Sequence, residues 1–173
     1  MQRSDAWRSP LFEPASNEGE GHTCTAWTDV VCPRCRHPLD FDSHALACQN
    51  CRSRFPIRDE IPVFAGDPSY YFGELPRLRM RQLHQQTKEK GWNQAFADLL
   101  EELDPTKSRS VDYYISAEAR AGLKHLISLS PEWVALDFGC GWGPISLSLA
   151  ESVAKVYSLD LTFERLLLLR ERA

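Results

Sequence analysis

Two cysteine pairs, Cys32-Pro33-Arg34-Cys35 and Cys48-Gln49-Asn50-Cys51, stand 12 residues apart in the first third of a 173-residue chain. A two-residue gap lets both sulfurs of a pair turn toward one point on a tight knuckle. Two such knuckles supply four thiolates at tetrahedral corners, the coordination that zinc prefers. The product is a closed, doubly negative site with no open position for catalysis, so the expected role is structural. About 35 residues cannot build an adequate core alone, and metal binding supplies folding energy that burial cannot.

The competing readings of the pairs are disulfides, a redox pair, an iron site and free core cysteines. The N-terminus, "MQRSDAWRSPLFEP", lacks the continuous apolar core of a secretion signal. No apolar run approaches the roughly 18 residues of a membrane span. A cytoplasmic location is therefore expected, which favours reduced thiols and hence a metal held by Cys32, Cys35, Cys48 and Cys51. Iron in a rubredoxin-like site stays open. Cys24 lies outside the spacing, and His22, His37 and His44 read as solvated loop histidines.

Composition divides the chain into four stretches. Residues 1–28 are polar, rich in Glu, Ser and Gly, and aperiodic, which reads as a disordered arm. Residues 29–65 carry the cysteines among short apolar segments punctuated by Pro33, Pro38, Pro56 and Pro62, a pattern of short strands and turns. Residues 66–110 are linker and helix. Trp92, Phe96, Leu99, Leu100 and Leu103 recur at spacings of three and four, and Gly91 separates an earlier helix from this one. "DPTKSRS", 104–110, reads as a loop. In 111–173 a helix is expected from Ser116 to Leu129, with Ser116 as its cap. The strand-like "WVALDF", a glycine-rich turn, a helix beginning at Pro144, a second strand "AKVYSLD" and a further helix then follow. That order opens a doubly wound α/β sheet.

The segments "CPRC", "CQNC" and "FPIRDEIPVF" together resemble the small zinc-ribbon domains that act as activator subunits of tRNA and protein methyltransferases, and their bacterial relatives. The match covers about residues 31–64. The family's usual version has Gly where this chain has Glu60, which puts the local turn in question but not the metal site.

The second informative stretch is "LDFGCGWGP", Leu136 to Pro144. A dinucleotide fingerprint would need its third glycine at position 144, which is proline, and no Gly-Lys-Ser/Thr follows as in a Walker loop. The spacing is instead G-x-G-x-G after Asp137. Gly139 and Gly141 permit backbone conformations closed to other residues and remove side chains that would block a ligand. Gly143 allows close passage of strand against helix. The helix starting at Pro144 directs N–H groups toward a ligand carboxylate, and Asp137 can meet an amine. Asp160, 17 residues after Gly143, ends the second strand, where an acid can accept from both ribose hydroxyls. An amino acid joined to a nucleoside has the shape of S-adenosylmethionine.

"VALDFGCGWGPISLSLAESVAKVYSLDLT" resembles the first two motifs of class I S-adenosylmethionine-dependent methyltransferases, and the resemblance covers residues 112–173. It implies that Gly139, Cys140, Gly141 and Gly143 line the methionine and ribose end, that Asp137 holds the amine, that Asp160 grips the ribose and that Leu161 lies against adenine. Tyr113 and Tyr114 precede the first strand, where the family often places an aromatic near the cofactor. The expected fold class is α/β: a small four-cysteine zinc ribbon, helices, and the incomplete start of a Rossmann-like methyltransferase sheet. The chain ends in a helix, "LLLLRERA", whose leucines fall on more than one side and so expect neighbours absent from it. The expectation is a truncated methyltransferase that alone neither binds S-adenosylmethionine tightly nor turns over. No catalytic residue is assigned.

The methyl acceptor stays open among small molecule, lipid, glycan, protein and RNA. The formal net charge of -4 gives no general pull toward nucleic acid. Arg77, Arg79, Arg81, Lys88 and Lys90 could meet phosphates, but such a run more often forms a solvated face. Two rival readings are a non-catalytic zinc-ribbon adaptor docking on a partner enzyme, and a nicotinamide-linked oxidoreductase.

Overall fold

Alternation along Arg54–Arg58 buries Phe55 and leaves Arg54, Pro56 and Arg58 outside, the period-two pattern of a half-buried strand. A computed structural model describes residues 29–42, 44–67, 69–115 and 120–173. The arm expected over 1–28, with Cys24 and His22, lies outside these residues, as does the Ser116 cap. The chain is mixed α/β and divides after Phe64 into two units.

The first unit is an antiparallel meander of β1 (Asp40–Asp42), β2 (Ala45–Ala47), β3 (Arg54–Arg58) and β4 (Ile61–Pro62), paired in that order. Its buried centre is Cys32, Leu46, Cys48 and Phe55, with Leu39, Ile57 and Phe64 packed against it. The Phe55 and Phe64 rings lie 4.9 Å apart. So few apolar side chains cannot offset the chain entropy of ordering the unit, which is the thermodynamic reason for a metal.

Arg58 pairs with Ile61, leaving Asp59 and Glu60 as a two-residue turn. Both are left-handed, with φ of 44° and 62°. That is the conformation of the hairpin turn whose twist matches its strands, and it favours glycine. The turn therefore forms with glutamate where the resembling family has glycine.

The second unit starts with helices. α1 (Arg77–Lys90) buries Met80, Leu83 and Thr87, and α2 (Trp92–Glu102) buries Ala95 and Leu99. Gly91, at φ 81°, separates them as the sequence suggests. "DPTKSRS" is not a loop: α3 spans Pro105–Ile115. Asp104 caps it, its Oδ1 accepting from the N–H groups of Thr106 and Lys107 at 3.1 Å each. Asp-Pro is itself a start signal, an N-cap residue before a proline in the first turn. The helix expected to reach Leu129 does not: among the described residues of that span Arg120 is helical, Gly122–His125 form a 3₁₀ turn, and no helix follows to Leu129.

β5 (Val134–Phe138) and β6 (Lys155–Leu159) pair in parallel, joined by α4 (Pro144–Ala150), and α5 (Phe163–Arg172) follows. α4 begins with Pro144 in its first turn, where the missing N–H costs nothing. The leucines of α5 are not left uncovered. Leu167, Leu168 and Leu169 are buried, and Leu168 shares one core with Leu75, Met80, Leu83, Leu99, Val111, Ile115 and Trp142. The uncovered apolar surface is elsewhere, on the outward face of β5, where Val134, Leu136 and Phe138 are 60%, 63% and 83% exposed.

The basic run on α1 is largely neutralised. Arg77 and Arg81 meet the buried Glu164 at 3.1 and 3.2 Å, Arg79 pairs with Glu102, and Lys90 with Asp98. Those charges are committed within the unit, which disfavours a phosphate-binding patch.

Replacing Glu60 with Gly relieves one left-handed side chain and is expected to stabilise the metal-loaded ribbon by about 1 kcal/mol. Denaturant unfolding of the zinc-loaded chain measures it, and an unchanged or lowered midpoint contradicts the turn.

Candidate metal centre and glycine-loop site

The two cysteine knuckles repeat one backbone pattern. Cys32 N–H donates to the His37 carbonyl at 2.8 Å and Arg36 N–H to the Cys32 carbonyl at 2.8 Å. Cys48 N–H donates to Ser53 and Arg52 N–H to Cys48, both at 2.9 Å. Arg36 and Arg52, each following a pair's second cysteine, are left-handed at φ 61° and 59°. This repetition points the four sulfurs inward. All four lie within 4.8 Å of one another, with Cys32 and Cys51 sulfurs 3.5 Å apart and Cys35 and Cys48 sulfurs 3.4 Å apart. Tetrahedral zinc with Zn–S near 2.3 Å sets sulfurs about 3.8 Å apart, so the cluster fits the ion with a small outward shift. The cysteines are free thiols. The Ser53 side chain, 3.2 Å from the Cys51 sulfur, holds that thiol down to about 6.

The glycine loop closes the carboxyl end of β5. Gly139 and Cys140 N–H groups donate to the Leu159 carbonyl at 2.7 and 2.9 Å, which ties the loop to β6. Gly141 and Gly143 are left-handed, at φ 57° and 85°. They serve different ends. A Cβ at Gly141 would meet nothing within 4 Å, so its backbone faces open space. A Cβ at Gly143 would lie 2.1 Å from Leu169 Cδ1. The close approach expected at Gly143 is therefore to α5, not to the preceding strand.

The two acids are both engaged by the protein. Asp137 Oδ2 accepts from Ser146 Oγ at 2.7 Å, and Ser158 Oγ donates to Ser146 Oγ at 2.7 Å. Asp160 Oδ2 accepts from Gly141 N–H at 2.9 Å and Oδ1 from Thr162 N–H at 2.7 Å. With a side chain only 6% exposed, Asp160 braces the loop against the start of α5. A ribose grip would have to share these oxygens. Leu161 is 64% exposed. Cys140 is buried, and burial, followed by the charges of Asp160 and Asp137, pushes its thiol up to about 12, which makes it a poor nucleophile.

A cavity of about 190 Å³ opens beside the loop. Gly139, Cys140 and Gly141 line it, while Asp137, Gly143, Asp160, Leu161 and Tyr113 are not part of the lining. Pro144, Ile145 and Arg120 also line it, and the rest of the wall comes from residues with no functional signature in the sequence: Phe72, Glu74, Trp142 and Arg165. Trp142 is buried, and its indole N–H donates to Glu74 Oε2 at 2.7 Å. Arg165 Nη2 reaches both Glu74 oxygens, at 2.8 and 2.9 Å. Burial alone would push the Glu74 carboxyl up; the Trp142 indole and the Arg165 guanidinium outweigh it and hold it below the ordinary range. Phe72 is fastened through its main chain, N–H and carbonyl both bonding Thr162 Oγ1, at 3.1 and 2.9 Å.

The family model described as Trm112p-like protein matches residues 30–60. A UPF0434 protein of Legionella pneumophila (strain Lens) is 50% identical over 34 residues, 20% of this chain and 58% of that protein. Another, of Azoarcus sp. (strain BH72), is 53% identical over 36 residues, 20% of this chain and again 58% of the relative. A third, of Methylibium petroleiphilum, is 45% identical over 49 residues, covering 27% of this chain and 75% of the relative. The chain thus spans under two thirds of the length of the first two relatives.

Two substitutions test these geometries. Cys48→Ser should abolish stoichiometric zinc and unfold the ribbon; elemental analysis with amide NMR of the ribbon reads both. Gly143→Ala should destabilise the second unit by about 2–4 kcal/mol through left-handed strain and overpacking on Leu169, measured by denaturant unfolding.

Proposed function

We propose, from the premise that the chain belongs to the Trm112p-like (UPF0434) family, that its four-cysteine ribbon is a structural zinc module joined in cis to the cofactor-binding start of an S-adenosylmethionine-dependent methyltransferase. The observation that carries the second half is the loop between two parallel strands. Three glycines there are left-handed, the Gly141 backbone is open to a cavity, and the acid ending the second strand holds the loop in place. A turn of this kind presents main chain rather than side chains, which suits close approach of a ligand.

Zinc would be held by Cys32, Cys35, Cys48 and Cys51 and would supply fold stability alone, its coordination shell being complete. S-adenosylmethionine, when bound, supplies an electrophilic methyl group that an acceptor's lone pair takes in line as the C–S bond breaks, leaving a thioether. This chain's residues would contribute position rather than acid–base chemistry. The raised Cys140 thiol argues against covalent catalysis by the loop. Among the described residues no helix is long and apolar enough to cross a membrane.

A second reading is a zinc-ribbon adaptor that docks on a partner enzyme and transfers nothing itself. The family match favours it, because that match falls on the ribbon, residues 30–60. The resemblance of this ribbon to methyltransferase activators fits either arrangement, the enzyme being joined to the ribbon or recruited by it.

One experiment separates them. Ligand-detected NMR of the zinc-loaded chain with S-adenosylhomocysteine should give saturation transfer to the nucleoside, with affinity weaker than about 1 μM because the β5 face is uncovered, a level of about −8 kcal/mol that calorimetry would detect. Zinc at one equivalent with no transfer from any adenosyl ligand would leave the adaptor.

A further inference from the structure

The loop cavity is small for a whole nucleoside-linked amino acid. Its roughly 190 Å³ falls below the ~300 Å³ at which ligand pockets commonly begin. An amino-acid-sized group fits, with the remainder lying outside it.

The charged groups on its wall come as an opposed pair. Glu74 belongs to the segment before α1, and Arg165 to the first turn of α5. The Arg165 side chain is 10% exposed, and its Nε is buried without a hydrogen-bond partner. Arg120 brings a second guanidinium to the same lining. The groups that the glycine pattern suggests for an amino-acid head are badly placed. Asp137 is bonded to Ser146 and is not part of the lining. α4 is a seven-residue helix whose first residue, Pro144, has no N–H to offer.

We propose that the Glu74–Arg165 pair receives the zwitterionic head of the ligand, Arg165 taking the α-carboxylate and Glu74 the α-ammonium. This assignment rests on the S-adenosyl reading above and names the residues that would read one end of that ligand. The two protein charges already neutralise each other. Arg165 also lies 3.7 Å from the Asp160 carboxylate, so a zwitterion adds a further acid to Arg165 and a further cation to Glu74, and neither is left as a bare buried charge when the ligand enters. An arginine fork also matches a carboxylate in plane.

The test compares two nucleosides that share adenosine and sulfur. S-adenosylhomocysteine carries the amino-acid head, and methylthioadenosine lacks it. Affinities are read by ligand-detected NMR on the zinc-loaded chain, its Arg165→Met and Glu74→Gln variants, and Arg165→Lys, which keeps the charge but loses the fork. The wild-type chain should prefer S-adenosylhomocysteine by about tenfold or more, the worth of a charge-assisted hydrogen bond, and the ratio should approach about one in Arg165→Met and Glu74→Gln. Methylthioadenosine affinity should change little. An equal loss for both nucleosides, or an unchanged ratio, overturns the assignment in favour of a purely structural pair. Should the first two variants lose their thermal transition, Arg165→Lys and the wild-type ratio decide; a wild-type ratio near one refutes the head-group role by itself. A wild-type chain that takes up neither nucleoside refutes the S-adenosyl reading, a result distinct from binding both without preference.

Discussion

The carboxylate of Asp160 accepts from the N–H of Gly141 on one side and of Thr162 on the other, and the arrangement of the larger unit's site hangs on that pair of bonds. A buried carboxylate is costly unless its lone pairs are satisfied. Here the donors are two stretches of backbone that must be held together: the glycine loop leaving β5 and the entry to α5. The acid's own solvation need thus becomes a tie between elements. Arg165 Nη1, 3.7 Å from Asp160, and Glu74 beyond it extend the tie into a charged network.

Trp142 connects this network to the helices. It stands between two glycines, yet it is 2% exposed and shares a core with residues of α1, α2, α3 and α5. Its carbonyl is also bonded by Arg172, whose guanidinium lies 4.5 Å from the Trp92 ring centroid. The helical stretch ahead of the sheet is therefore part of what supports the loop. Truncating a side chain buried to this degree costs about 3–5 kcal/mol, comparable with much of a small domain's net stability.

The two units are stabilised by different physics. The ribbon relies on four sulfurs around one point, with a handful of apolar side chains and four left-handed non-glycine residues in its turns. The larger unit relies on a helical core and on buried ion pairs such as Glu164 with Arg77 and Arg81. Its weak point is the outward face of β5, since parallel sheets are ordinarily covered on both faces.

Local spacing in the sequence was enough to specify the cluster of four cysteines, the short strands around them, both parallel strands, the helix beginning at Pro144, the break at Gly91 and the unusual backbone of Gly139 and Gly141. These features depend on residues a few positions apart, where backbone sterics and periodicity act directly. The start of α3 was also legible, in Asp104-Pro105, but the polar residues that follow obscured it. Other outcomes needed the tertiary structure. It alone seats Asp137 on Ser146, turns Asp160 inward as a brace, buries Leu167 to Leu169 against the helices, and brings Glu74 to Trp142 and Arg165. Those partners are separated by 68 and 91 residues, and which of them meet is decided by how helices and strands pack, a choice that no local pattern encodes.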